Sequence, residues 1–308
     1  MAVYSTIILL SVVGNFMVLA AFIRAKCFCR VHSYFIAGLA LADFLTGLIA
    51  IPLAMYARMV VSPWTCYEKT RDFFFAPAVI FCSVSVYHLV AIAINRFIAV
   101  SRPLRYSSIM TPLRCKTAII VLWIMGIAFG VLPIFGKMED GADSWVCDTD
   151  RYTSSAVLAH RVVTSLIVPT FIMILSFIYI RIFYLAYKYK SETTERSKNA
   201  SSVRSKRSRY LRSRSSWHVK TTVTSAIILA VFSICWFPHS FEFLFEHLYP
   251  NHSSILVYII LTETFGFSNS FANPIIYGFR NRAFRLACRR LIKRWFGKTE
   301  IRKPRQKN

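Results

Sequence analysis

Seven apolar stretches, each of about 20 residues or a little more, run through this chain and decide what it can become. They cover 6–23, 34–57, 73–100, 118–135, 162–186, 219–241 and 255–279. A bilayer's hydrocarbon core is about 30 Å thick, and such a run crosses it as a helix whose backbone groups pair internally. With 308 residues, 56% of them hydrophobic, a water-soluble fold would have no core large enough to hide this surface. The expected fold class is an all-α membrane protein, a seven-transmembrane helix bundle. No small-residue cleavage site follows the first run, which is therefore expected to act as an uncleaved signal. The residues before it are few, which argues against a large ligand-binding ectodomain.

A formal net charge of +24 invites a nucleic-acid reading, and the placement of the charges answers it. With the N-terminus outside, all but six of the 38 Lys and Arg fall on the cytoplasmic side. The exceptions are Arg58, Lys69, Arg71, Lys137, Arg151 and Arg161. That asymmetry sets orientation, with the N-terminus outside and the C-terminus cytoplasmic, in a multi-pass protein expected in the plasma membrane. Acids run the other way, with ten of 14 outside, three inside (Glu192, Glu195, Glu300) and Asp43 within a span. No soluble unit offers a basic groove with interleaved aromatics, so nucleic acid is not an expected partner.

Charged and amide side chains inside the apolar runs single themselves out, because each must be paired or held by protein. Asn95-Arg96-Phe97 closes the third run and Arg102-Pro-Leu-Arg105 follows, giving a cationic cluster that suits a partner on the inner side. Asp43 sits among aliphatics, with Asn15, Ser85 and Asn273 at similar depth in other runs. Together they make either a hydrogen-bonded packing site or a small sodium-binding pocket. Pro52, Pro133 and Pro169 should kink or end their spans. Cys235-Trp236-Phe237-Pro238 places an indole two residues before a helix-bending proline, so Trp236 can couple what fills a cavity to the inner half of that helix.

Of eight cysteines, Cys66 and Cys147 should face the oxidising side, where a disulfide between them would pin the second outer loop over the third helix. The other six, Cys27, Cys29, Cys82, Cys115, Cys235 and Cys288, fall in spans or on the inner face. The seven histidines are scattered and no metal-site spacing occurs. The outer loop 136–160 is rich in Asp and Glu, which over a cavity mouth would favour cations. Asn251-His-Ser253 is an N-glycosylation sequon in the third outer loop. The stretch 188–220 turns to Ser, Arg and Lys, forming a basic third intracellular loop whose ends extend the flanking helices. Over 280–296, Phe284, Cys288, Leu291 or Ile292, and Trp295 share one helical face opposite arginines and lysines. That is an amphipathic helix on the inner leaflet, with Cys288 a palmitoylation candidate and membrane lipid a partner. The domains are thus 1–296, the seven-transmembrane unit, and 297–308, a basic cytoplasmic tail.

Taken in order, Gly14-Asn15, Leu39-Ala-Leu-Ala-Asp43, Asn95-Arg96-Phe97, Trp123, Pro169, Cys235-Trp236-Phe237-Pro238 and Asn273-Pro-Ile-Ile-Tyr277 resemble a class A (rhodopsin-like) G-protein-coupled receptor over nearly the whole chain. The resemblance is loosely to adenosine- and amine-type small-ligand members. It implies that Arg96, flanked by Asn95 and Phe97, engages a heterotrimeric G protein, and that Tyr277 swings inward to steady the active state. It makes Trp236 the toggle and Pro238 the hinge, and gives Asp43 an allosteric sodium ion with Ser85 and Asn273; no other cofactor is implied. Arrestin and receptor kinases are further implied partners.

Several positions depart from the family's pattern. Asn95 replaces the usual acid, and His218 stands where some members carry the acid that locks the arginine; basal activity is expected unless another anion restrains Arg96. Cys66 lies five residues before the usual cysteine position, held here by Arg71, so the Cys66–Cys147 bridge is displaced. Phe177 stands where a tyrosine is common, with Tyr179 two residues on. Ala78 takes the place of the amine-binding aspartate, Phe267 that of the retinal lysine, and Phe243 that of an asparagine of the adenosine site. The implied extracellular-ligand cavity is lined by Ala78, Phe81, Phe237, His239, Ser240, Phe243, Glu263 and Phe267. Glu263 is either the counter-ion of a cationic ligand or the partner of Arg71 or Lys69, and the ligand's identity stays open.

A seven-span transporter or channel would show inverted repeats or a path of intramembrane charges, and the sequence has neither. An integral-membrane enzyme would need paired carboxylates, a histidine cluster or a nucleophile with its base, so the chain is expected not to be an enzyme. Within the receptor reading, the alternative is action mainly through constitutive activity or by pairing with another receptor.

Overall fold

The computed structural model describes residues 2–24, 32–60, 68–136, 155–198, 222–249 and 254–296. Cys66, Cys147, His218 and Asn251 lie outside these residues, as do most of the basic loop after Lys198 and the tail beyond 296. Six of the described helices are long and apolar enough to cross a bilayer: Ala2–Arg24, Ser33–Met59, Phe73–Ser101, Pro112–Leu132, Ser165–Lys188 and Thr222–Phe241.

The chain opens with α1 (Ala2–Arg24). The second span is broken into α2 (His32–Leu45), a π-turn (Thr46–Ala50) and α3 (Ile51–Val60). A proline ring clashes with the carbonyl four residues before it. For Pro52 that carbonyl belongs to Leu48, inside the π-turn, so the wider turn absorbs the clash where the sequence suggested a simple kink. Next come α4 (Glu68–Ser101), the short α5 (Tyr106–Ile109), α6 (Pro112–Gly136) and α7 (Ser155–Lys198). Helix α8 (222–236) stops at Phe237, a 3-10 turn covers Pro238–Phe241, and α9 (Glu242–Leu248) follows. Helix α10 (Ser254–Arg280) has 27 residues, enough for about 40 Å at ~1.5 Å each. It is more polar than the six, and it turns Thr262, Asn269, Ser270 and Asn273 inward, each nearly fully buried.

Helix α4 runs through the middle, packed against α2, α3, α6 and α7, while α1 lies between α2 and α10. Small residues let the backbones close in. Gly126 and Gly130 of α6 sit so tightly on α4 that a Cβ at Gly130 would fall 2.3 Å from Ile80 Cγ1 and 2.9 Å from the Ile80 nitrogen. A Cβ at Gly38 would fall 2.2 Å from His88 Nε2, and one at Gly14 3.0 Å from the Pro274 ring. The larger apolar core fills the cytoplasmic half, around Leu39, Leu175, Ile182 and Phe232. A smaller cluster around Ile7, Ile51, Ala78 and Phe267 closes part of the outer half.

Helix α11 (Arg282–Phe296) leaves α10 almost at once. Arg285 Nη1 donates to the carbonyls of Gly278 (3.1 Å) and Phe279 (2.6 Å), satisfying orphan acceptors at the α10 terminus. Phe284, Ala287 and Leu291 are buried, and Cys288 is half-buried on the same side. Leu291, not Ile292, thus takes the inward position. Trp295 stacks on Phe16 of α1 at 6.0 Å.

Candidate functional site

Three places gather the polar residues that the apolar spans carry. The first surrounds Asp43, fully buried at the α2 end. Its Oδ1 accepts Ser85 Oγ at 3.0 Å and its Oδ2 accepts Asn273 Nδ2 at 2.8 Å. The Ser270 hydroxyl is a third hydrogen-bond partner that the sequence reading missed. Its signal was there: Ser270 stands three residues before Asn273 in one helix, so both share a face. Asn15 does not bond to the carboxylate; its Nδ2 donates to the carbonyls of Ser11 and Ser270, both at 2.9 Å. The oxygens Asn273 Oδ1, Asn15 Oδ1 and Ser11 Oγ are buried with no protein partner. Hydrogen bonds to a charged group contribute ~1.5–3 kcal/mol each, so this cluster ties α2, α4 and α10 together.

The second place is the cytoplasmic end of α4. Asn95 and Arg96 are buried, whereas Phe97 is turned outward. Asn95 Oδ1 accepts the Tyr106 hydroxyl at 2.9 Å, which docks α5 onto α4. Tyr106, Tyr179 and Tyr277 are the phenols that surround Arg96. Two residues along a helix are about 200° apart, so Phe177 and Tyr179 cannot both face inward. Tyr179 is the buried one, and Phe177 is 65% exposed. Tyr277 packs edge-on against Phe284 of α11 at 6.3 Å, with its hydroxyl buried.

The third place is a cavity of about 140 Å³ in the outer half. Of the residues assigned to a ligand cavity from the sequence, Ala78, His239, Glu263 and Phe267 line it. Phe81, Phe237 and Ser240, assigned with them, are not among its walls. Phe81 lies edge-on against Trp123 at 6.2 Å, Phe237 is 48% exposed and pairs with Phe241, and Ser240 is buried in the 3-10 turn. The Phe243 side chain lies outside the described residues. The sequence reading overlooked walls on α4, α6 and α7: Phe75, Cys82, Tyr87, Phe129 and Phe171. Trp236 forms part of the lining and touches both the His239 ring, edge-on at 5.6 Å, and the α10 backbone, where a Cβ on Gly266 would meet its indole at 3.3 Å.

Glu263 pairs with Arg58 of α3; the Lys69 and Arg71 side chains lie outside the described residues. A second polar group sits beside it. His239 Nδ1 is 2.7 Å from Glu242 Oε2, and Thr262 donates to the same oxygen at 3.4 Å. The Tyr258 hydroxyl donates to the Pro238 carbonyl at 2.6 Å, supplying a partner at the helix break. Arg58 was counted in the sequence only as an outer-side cation. Its pairing depends on the rotation set by the π-turn, which sequence periodicity does not reveal.

Comparisons with known proteins agree with this layout. A family model described as "7 transmembrane receptor (rhodopsin family)" matches residues 14–277. The histamine H2 receptor of Rattus norvegicus is 28% identical over 302 residues, spanning 94% of this chain and 78% of that receptor. The adenosine receptor A2b of Canis lupus familiaris is 28% identical over 308 residues, spanning 93% of this chain and 87% of that receptor. The adenosine receptor A2b of Homo sapiens is 28% identical over 309 residues, with the same coverage.

Proposed function

The chain belongs to the rhodopsin family of seven-transmembrane receptors, and from that premise we propose that ligand occupancy of the outer cavity is read at Trp236 and relayed to Arg96. Receptors of this family are multi-pass membrane proteins that signal through G proteins, and so does this one. The relatives named for histamine and adenosine support a small ligand. The observation that carries the relay is the position of Trp236: it belongs to the cavity wall and stands two residues before the 3-10 break at Pro238.

A ligand that fits the cavity better when the inner half of α8 is swung out shifts the population by that difference in affinity and no more. The opened cytoplasmic end then offers Arg96, with Tyr277 turning in behind it, to the G protein. Asn95 carries no charge and its oxygen is taken by Tyr106, which supports basal coupling in the absence of ligand. Phosphorylation by receptor kinases and arrestin docking would use the basic loop, and α11 would rest on inner-leaflet lipid with Cys288 as its acylation site. The N-terminus faces outside and the C-terminus inside in this reading.

The oxygen set around Asp43 suits a hard monovalent cation, since Asn273 Oδ1 and Asn15 Oδ1 lack protein partners. Asp43, Ser85 and Asn273 would hold a sodium ion there, which would neutralise the buried carboxylate. Raising sodium should then stabilise purified receptor against heat, and Asp43→Asn should remove the dependence.

The test of function is basal signalling through each G-protein class, comparing the natural chain with Arg96→Ala at matched surface expression. We expect a basal signal that Arg96→Ala abolishes. If the natural chain is as silent as the variant, basal coupling through Arg96 is wrong.

A further inference from the structure

His239 is the cavity wall whose hydrogen-bonding role its neighbours fix. It stands on the 3-10 turn just after the break at Pro238, and its ring is held from two sides. The Trp236 indole meets it edge-on at 5.6 Å. On the other side Nδ1 is buried 2.7 Å from Glu242 Oε2, as an ion-pair contact rather than an aligned hydrogen bond. A nitrogen lone pair so close to a carboxylate oxygen would be repelled whatever the angle, so Nδ1 carries the ring proton. In a neutral imidazole the other nitrogen is then an acceptor. Glu242 is the one polar partner of the ring among the described residues, which leaves Nε2 for the cavity. Elsewhere the wall is mostly apolar, with Val86, Ile167, Phe171 and Phe267 in it. Glu263 is its one Asp, Glu, Lys or Arg among the described residues, and Arg58 balances that charge. The volume, about 140 Å³, is close to the ~150 Å³ of an engineered apolar cavity that takes up benzene. It admits about one ring.

We propose that this cavity seats a neutral phenolic ring whose hydroxyl donates to His239 Nε2 and whose face lies against Trp236 and Phe171, with Glu242 as the positioning residue that sets the tautomer. The proposal rests on the receptor reading above and names the ligand class of that same cavity. Charge argues for neutrality. A cation would have to take Glu263 from Arg58, and breaking a partly desolvated ion pair is costly. An anion would meet no Lys or Arg among the described wall residues. Hydrogen bonding argues for the donor. An apolar ring that covers Nε2 strips it of water and returns nothing, whereas a hydroxyl replaces the lost bond. Sites built to bind a hydroxyl reject the analogue that lacks it far more strongly than apolar pockets sort by size. Ser83 and Tyr87 also bring hydroxyls to the wall, but a rotating hydroxyl donates or accepts as required and selects neither. His239 also touches Trp236, so the recognised hydroxyl and the start of the relay sit at adjacent rings.

The test uses the full-length receptor in lipid nanodiscs, with empty nanodiscs as the blank, and reads binding by fluorine NMR of single-ring probes. The donor is 4-fluorophenol; 4-fluorotoluene matches its size without the hydroxyl, 4-fluorobenzonitrile only accepts, and 4-fluorobenzylamine is a cation. We expect 4-fluorophenol to bind at least tenfold more tightly than the other three. His239→Phe keeps a ring beside Trp236 and should abolish that preference while leaving 4-fluorotoluene binding within about threefold, which shows that the variant is folded. Glu242→Gln should cut the preference to about threefold or less, because an amide can donate to Nδ1 as well as accept from it and so no longer fixes the proton. Were Glu242 merely structural, its variant would weaken 4-fluorotoluene just as much, and the tautomer argument would fail. Equal binding of 4-fluorophenol and 4-fluorotoluene would overturn the proposal. A preference for the nitrile would make His239 a donor, and a preference for the benzylamine would give the site to a cation; either result overturns it. Absence of binding by every probe would overturn it too, and if basal coupling persists in the natural chain, the receptor reading survives that failure.

Discussion

Asn95 sets the resting state of the cytoplasmic end through one atom. Its Oδ1 holds Tyr106, and as an amide it has no charge to hold Arg96. Asn95→Asp keeps the acceptor and adds the charge. A charge-assisted hydrogen bond adds ~1.5–3 kcal/mol, so the variant should lower basal G-protein signalling by about tenfold or more at equal expression. An unchanged or raised signal would contradict this account. His88 is a second single-residue constraint. It is fully buried, its Nδ1 is 2.8 Å from the Val84 carbonyl, and its Nε2 faces Gly38. Gly38→Ala should cost ~1–3 kcal/mol by overpacking, and His88→Ala should recover most of that in the double variant; thermal denaturation would decide. Residues of this kind were legible unevenly. Asp43, Arg96 and Trp236 stand out in a sequence because an apolar span tolerates few such side chains. Phenylalanine carries no such signal: Phe81, Phe237 and Phe171 look alike in a chain with 26 of them, yet only Phe171 faces the cavity.

At the scale of elements, the α4–α6 contact is close enough to bring backbone against backbone. Gly130 meets the Ile80 backbone, which cannot swing aside as a side chain can. Gly130→Ala should therefore push α6 off α4 and lower stability by ~1–3 kcal/mol. Gly278→Ala should do far less, because a Cβ there meets no atom within 4 Å. Equal melting points for the two variants would contradict the packing argument. The spans themselves were readable from length and hydropathy. Pro52 and Pro238 marked where two of them break, but not the form of the break, since a π-turn near Pro52 and a 3-10 turn after Trp236 depend on how the freed carbonyls find partners. Tyr258 donating to the Pro238 carbonyl is such a partner, contributed from another helix.

Across the whole molecule, the inner half is a continuous apolar core and the outer half is thinner, divided by the cavity. The polar cluster at Asp43 lies between them, and α10 contributes to both, through Glu263 and Phe267 above and Asn273 and Tyr277 below. The π-turn at Thr46–Ala50 separates the same two levels on the second span. It acts as a phase shifter. Each residue of an α-helix advances the side chains by about 100°, so deleting Leu48 would leave Asp43 facing Asn273 while rotating Arg58 by that angle away from Glu263. One surplus residue thus sets the angular offset between the Asp43 cluster and the outer cavity, and two chains alike in every polar residue but differing in that one would present different chemistry to the outside.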